Sequence, residues 1–140
     1  MYNYFMRIGL VLNILDDKYQ LYLYSGIVRK AEELGMNAIF HIKIDTGMSR
    51  LGFAPDDVSV NAIEKISHLP CVELEGMFTH FSRADEKNKE ITDQQFTSYI
   101  RVKEELEQRG IHFPLLHVSN SAAIIDQPEL HLNPVRAGIS

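Results

Sequence analysis

Residues 41 to 53, His-Ile-Lys-Ile-Asp-Thr-Gly-Met-Ser-Arg-Leu-Gly-Phe, place Lys43, Asp45 and Arg50 close together directly after an apolar run. Ile39, His41, Lys43 and Asp45 alternate with Phe40, Ile42 and Ile44, which is the period-two pattern of a strand, and Thr46-Gly47 must break it. Two cations and a carboxylate therefore gather at one strand's C-terminal end. In parallel α/β architectures that is where ligands bind and chemistry is done. A plain connecting loop needs a glycine and something polar; it does not need these three charges so tightly spaced. Read alone, Asp45 could serve only as the cap of the turn that follows it.

The elements that must position such a cluster alternate along the chain. Tyr19 to Tyr24 reads as a short Tyr- and Leu-rich strand, with Ser25 as N-cap of a helix carrying Ile27, Ala31 and Leu34 and ending at Gly35. The strand at 38–45 follows, then a helix with Val58, Ile63 and Ile66 that stops near Pro70. Val72 to Phe81 is the next strand. Thr92-Asp93-Gln94-Gln95 has capping-box spacing and opens a helix carrying Phe96, Ile100 and Leu106 as far as Gly110. His112 to Val118 reads as a further strand, Ser119-Asn120-Ser121 as a helix start, Ala122 to Ile125 as a short helix, and Leu132 to Arg136 as a last strand. Residues 1–15 fit either a buried strand or a helix face. This alternation predicts an α/β fold with a parallel sheet and right-handed crossovers.

Composition narrows the function classes. The 140 residues suit one compact domain, short of the roughly 250 of a closed eight-stranded α/β barrel. A net charge of -5 at pH 7 argues against a nucleic-acid surface, because phosphate tracking needs clustered Lys and Arg. The longest apolar run, Ile8 to Leu12, is too short to span a bilayer, and Met1 to Arg7 lacks the order of a signal peptide. The single cysteine, Cys71, has no internal partner and reads as a small buried residue in a reducing compartment. A cytoplasmic protein is expected.

Polar residues recur at the strand ends: Lys43, Asp45 and Arg50; Thr79, His80 and Ser82; His117, Asn120 and Ser121; Arg136, Gly138 and Ser140. Each has a dull explanation alone, since a histidine such as His117 is more often a packing residue and Ser121 a plain N-cap. Their repetition on one rim is harder to dismiss. Ser121, with the backbone N–H groups of Gly138 and Ile139, makes a candidate phosphate cradle. Arg136 could hold a second acceptor, His80 offers a flat ring, and Arg50 could fork onto a carboxylate. The set describes a phosphorylated, aromatic ligand that bears hydrogen-bond acceptors.

Four ordered motifs carry a family resemblance: 41–53 above, Glu-Gly-Met-Phe-Thr-His-Phe-Ser-Arg-Ala-Asp at 75–85, Asn-Ser-Ala-Ala at 120–123 and Arg-Ala-Gly-Ile at 136–139. Together they resemble the alanine racemase family of fold type III pyridoxal-phosphate enzymes, over about residues 20–140. The resemblance implies a partial (β/α)8 barrel, a middle piece falling roughly in its second half, with residues 1–140 belonging to the N-terminal barrel domain. It implies pyridoxal 5'-phosphate as cofactor, interconversion of L- and D-alanine in the longer protein, an amino acid as substrate, and a homodimer. By resemblance Ser121, Gly138 and Ile139 bind the cofactor phosphate, Arg136 faces the pyridine nitrogen, and His80 packs by the ring and helps hold Arg136. Arg50 lies by the cofactor's phenolic oxygen and the substrate carboxylate, and Lys43 matches a lysine that many members carry as a carbamate.

The family's Schiff-base lysine sits in a first-strand motif that does not occur here. Lys18, Lys30, Lys65, Lys87, Lys89 and Lys103 fall in other surroundings. The opposing tyrosine base belongs to a β-rich C-terminal domain. Racemisation needs a base on each face of the α-carbon, so both catalytic bases are expected outside these 140 residues. Two other readings keep the seat without the bases: a non-catalytic pyridoxal-phosphate-binding module, and a half-barrel that complements a separately encoded partner. A serine/alanine racemase would share the same motifs.

Overall fold

The computed structural model describes residues 18–138. Within them α1 (Lys18–Glu33), β1 (Ala38–Lys43), α2 (Asp57–Ser67), β2 (Val72–Phe78), α3 (Glu90–Gln108), β3 (Leu115–His117) and α4 (Ser121–Asp126) follow one another, with a 3₁₀ turn at Pro128–Leu130. The strands form a parallel sheet of three in the order β1-β2-β3. Each crossover is long enough for the helix it contains.

Local signals fix the helices. The Asp56 side chain accepts a 2.8 Å hydrogen bond from Ser59 N and starts α2, whose Val60, Ile63 and Ile66 recur at helical spacing and are buried. In α3 the buried positions are Thr92, Gln95, Tyr99, Val102 and Leu106, alternately three and four apart. Both helices cover the sheet face formed by Ile42, Ile44 and Met77. A smaller cluster joins Ile27, Val28 and Ala31 of α1 to Ala38 and Phe40. The fully buried Tyr99 hydroxyl donates a 2.7 Å bond to Met77 O, tying α3 to the middle strand.

Register places the polar face. His41 pairs with Gly76 and Gly76 with Leu115; Lys43 pairs with Phe78 and Phe78 with His117. A bulge between Phe40 and His41 leaves Glu75 as the extra residue of β2. Lys43, Phe78 and His117 thus form one row across all three strands.

Several sequence expectations are corrected. Residues 19–24 lie inside α1, not in a strand: nothing between Lys18 and Glu33 breaks the helix, and Ser25 Oγ bonds back to Tyr22 O at 3.1 Å rather than capping. Leu132 to Arg136 forms no strand, because Pro134 has no N–H to give a ladder and Asn133 substitutes for one. Its Oδ1 accepts from Leu116 N at 2.6 Å and its Nδ2 donates to Pro114 O. Among the described residues the expected five strands are three. Pro114 shortens the strand expected at 112–118 to Leu115–His117, and the one expected at 72–81 ends at Phe78. Helix α3 begins at Glu90, so Thr92 is a buried first-turn residue and no N-cap. Val58 points to solvent, and Val60 takes its place in the core. Cys71 is half-buried with φ 57° at the turn into β2. Residues 1–15 lie outside the described residues.

Replacing Tyr99 by Phe removes one buried hydroxyl and leaves the Met77 carbonyl with one donor fewer. A loss of about 1–2 kcal/mol is expected in urea unfolding, and unchanged stability would show that this bond does not tie α3 to the sheet.

Candidate functional site

Asp45 organises the loop that carries Arg50. Its Oδ1 accepts from Gly47 N at 3.1 Å and Ser49 N at 2.9 Å, and its Oδ2 from Arg50 N at 2.9 Å. Burial pushes this carboxyl up, but the N–H groups of Ser49, Gly47 and Arg50, helped by Lys43, outweigh it and hold it below the usual carboxylate range. The loop returns to the sheet where Phe53 N donates to Lys43 O and Asp45 N to Phe53 O, both at 2.8 Å. Gly52 makes that return possible: its φ is 118°, and a Cβ there would lie 2.8 Å from Lys43 O.

One cation lies against this loop and a second stands near it at the strand ends. Lys43 is 4% exposed and its Nζ donates to Leu51 O at 2.5 Å. Burial lowers its pKa, Asp45 opposes that, and Arg50 and Arg136 add to it. Arg136 donates through Nη2 to Thr79 O at 2.5 Å, its backbone N–H donates to Ser119 O at 3.1 Å, and its Cζ stands 5.3 Å from the centre of the Phe78 ring. Its Nε is buried with no hydrogen-bond partner among the described residues. Burial, followed by Arg136, Arg50 and Lys43, also depresses the pKa of His80. The site is therefore a rim of positive charge whose nearest carboxylate is already engaged by backbone amides.

Beneath it, His117 stacks on Phe78 with ring centres 4.8 Å apart and planes inclined by 9°. His117 Nε2 lies 3.3 Å from His41 Nδ1, and His41 Nε2 lies 2.9 Å from Glu75 Oε2. The His41 ring passes over Gly76, where any Cβ would come within 2.4 Å of Nδ1. The bulge that frees Glu75 and the missing side chain at 76 are what allow a histidine of β1 to reach one of β3.

The expected site residues converge in part. Lys43, Arg50, His80 and Arg136 share one electrostatic neighbourhood at the strand ends. On the adjoining side Gly138 N donates to Ser121 Oγ at 2.9 Å, joining the two segments of the expected phosphate cradle. The helix cap itself is Asn120, whose Oδ1 accepts from Ala123 N at 3.1 Å, so Ser121 is not engaged as a cap. Ile139 lies outside the described residues. Sequence reading missed Glu75, because a bulge leaves no mark in hydrophobic alternation, and Gln95, which counted only as part of a capping box. Among the described residues no cluster could hold a metal ion, and no helix is long and apolar enough to cross a membrane.

His117 gives a pH test. Burial, with help from Arg136 and His41, moves its pKa from the ordinary 6.5 to about 4. The unfolded chain then takes up the proton first, so the contribution of neutral His117 is complete above pH 6.5 and is lost as pH falls through about 4. NMR should find the His117 ring titrating near pH 4; a midpoint near 6.5 would contradict its buried, neutral state.

Comparison with known proteins accords with this geometry. Alanine racemase from Methanococcus maripaludis is 50% identical over 121 residues, 86% of this chain and 32% of that protein. That from Clostridium tetani is 45% identical over 131 residues, 94% of this chain and 34% of its own length. The solved alanine racemase of Clostridium difficile 630 in complex with cycloserine superposes with a TM-score of 0.82 at 43% identity, covering 94% of this chain and 34% of that one. The chain thus spans about a third of the length of these relatives. Residues 14–140 match the family model described as alanine racemase, N-terminal domain, and the parallel strands with their loaded rim are part of that barrel domain: the chain belongs to the alanine racemase family.

Proposed function

We propose that this chain supplies the cofactor seat of an alanine racemase, acting in a longer or assembled cytoplasmic homodimer that interconverts L- and D-alanine, with its strands roughly in the second half of the barrel. The observation that carries the reading is the rim on which Arg136, His80, Lys43 and Arg50 share one electrostatic neighbourhood while the carboxylate beside them, Asp45, is taken up by backbone amides. Such a rim suits a ligand with several anionic or acceptor oxygens.

The residues fit pyridoxal phosphate. When bound, the group acts as an electron sink that acidifies the α-proton of an amino acid. Ser121 Oγ accepts from Gly138 N and still has its own proton to give a phosphate oxygen; the Gly138 N–H would turn from Ser121 to the phosphate on binding, beside that of Ile139. The unpartnered Arg136 Nε is a donor for the ring nitrogen. A guanidinium there keeps that nitrogen unprotonated and restrains the electron sink. Thr79 O and the Phe78 ring fix the guanidinium from below. His80, kept neutral by burial and the neighbouring cations, packs against the ring without adding charge. Arg50 is exposed and free to take a substrate carboxylate.

Lys43 is suited to a carbamate. Its lowered pKa raises the share of uncharged amine, whose nitrogen would bond to the carbon of carbon dioxide while a proton leaves to solvent. The anion formed would pair with Arg50. The bases that add and remove the α-proton are taken to lie outside these residues.

The test is an absorbance titration of the folded chain with pyridoxal phosphate. Saturable binding is expected, weakened about tenfold or more in Ser121→Ala and in Arg136→Gln, since each loses a hydrogen bond to a charged or ring acceptor. No saturable change with the wild-type chain, or equal affinity in both variants, would defeat the reading.

A further inference from the structure

Gln95 lies on α3, the helix that covers the sheet, yet its amide reaches the rim. It is 3% exposed. Its Oε1 accepts from Ser82 N at 3.0 Å and Ser82 Oγ at 3.2 Å, and its Nε2 donates to Thr46 Oγ1 at 3.5 Å. Thr46 Oγ1 in turn lies 2.8 Å from Thr79 Oγ1, and Thr79 O holds Arg136. Gly47, with φ 143°, brings its backbone against the same amide, and a Cβ there would stand 3.0 Å from Gln95 Nε2. One buried side chain therefore touches both the loop that carries Arg50 and the loop that carries His80. A buried amide satisfied on both sides is expected in any core. Here every partner belongs to a site loop, and none to the helix or the strands.

We infer that Gln95 is a positioning residue: it fixes the spacing between the Arg50 loop and the His80 loop, and through Thr46 and Thr79 sets both against Arg136. The inference rests on the proposed reading of the rim as a pyridoxal-phosphate and substrate seat. An apolar residue of similar volume keeps α3 packed but releases the two loops from each other. Glutamate can replace the amide, because its carboxylate accepts from Ser82 while the Thr46 hydroxyl turns to donate.

Amide hydrogen exchange on the whole chain tests the mechanical part without any cofactor. In Gln95→Leu, exchange at Gly47, Ser49, Arg50 and Ser82 should rise about tenfold or more relative to Ile44 and Phe53, whose bonds to Phe78 O and Lys43 O are independent of Gln95. Gln95→Glu should restore it. Thr46→Val, which removes the hydroxyl shared with Thr79, should loosen 47–50 and leave Ser82 protected. Loop exchange that stays at the wild-type rate in both Gln95→Leu and Thr46→Val, or that rises equally throughout the molecule, would overturn the inference. Pyridoxal-phosphate affinity adds the link to the seat: about tenfold weaker in Gln95→Leu and recovered in Gln95→Glu. Equal affinity despite loosened loops would also overturn it. If the wild-type chain binds none, the reading of the seat fails, and exchange alone decides the role of Gln95.

Discussion

Two cations taken out of water at the ends of parallel strands impose the main constraint on this structure. Lys43 and Arg136 are each met by a backbone carbonyl, Leu51 O and Thr79 O, rather than by a carboxylate. A neutral carbonyl satisfies a donor without cancelling its charge. The one acid close by, Asp45, is occupied by three backbone N–H groups. The rim is left with excess positive potential and unfilled donors, and an anionic ligand would complete it. Desolvation and mutual repulsion of the cations disfavour this arrangement, which is why the surrounding backbone is so closely defined.

The rest of the fold serves that constraint. One strand face, with Ile42, Ile44 and Met77, is buried against α2 and α3 and supplies the apolar core. The other face presents the row Lys43, Phe78 and His117, where an aromatic ring separates a neutral imidazole from charged groups. Burial, with Arg136 and then His41 adding to it, disfavours protonation of His117. The Glu75–His41 pair then fixes ring orientation from the far side. Polar contacts from α3 and from residue 79 tie the loops to this base, so that core packing and site geometry are coupled through a small number of side chains.

Much of this was legible from residue order. Strand β1 and its loop announced themselves because period-two alternation stops abruptly at Thr46-Gly47, and α2 because Ile63 and Ile66 recur at helical spacing ahead of Pro70, although its Asp56 cap went unread. The meeting of Lys43, His80 and Arg136 was expected from strand alternation, although Arg136 reaches the rim from an irregular segment and Ser121 stands on the adjoining side with Gly138. What failed has physical causes. The Tyr-Leu run at 19–24 has strand composition, but it lies in one unbroken helix with the Ile27 and Ala31 face that packs on Phe40. Asn133 imitates a strand partner through its side chain, which no periodicity reveals. A bulge shifts register by one residue without altering the pattern of apolar positions, so the contact between His41 and Glu75 could not be read in advance. Gln95 carried a local signal for a helix start, whereas its partners are distant in sequence.

The central claim, a buried amine held by a neutral carbonyl beside other cations, is tested most directly by titrating Lys43. With carbon-13 at the lysine ε position, NMR follows each of the seven lysines separately, and Lys43→Arg assigns the resonance. The account predicts a Lys43 midpoint clearly below the ordinary 10.5, because burial and the neighbouring Arg50 and Arg136 outweigh the attraction of Asp45. A midpoint at or above 10.5 would mean that Asp45 compensates the charge, and the rim would not be the anion seat described.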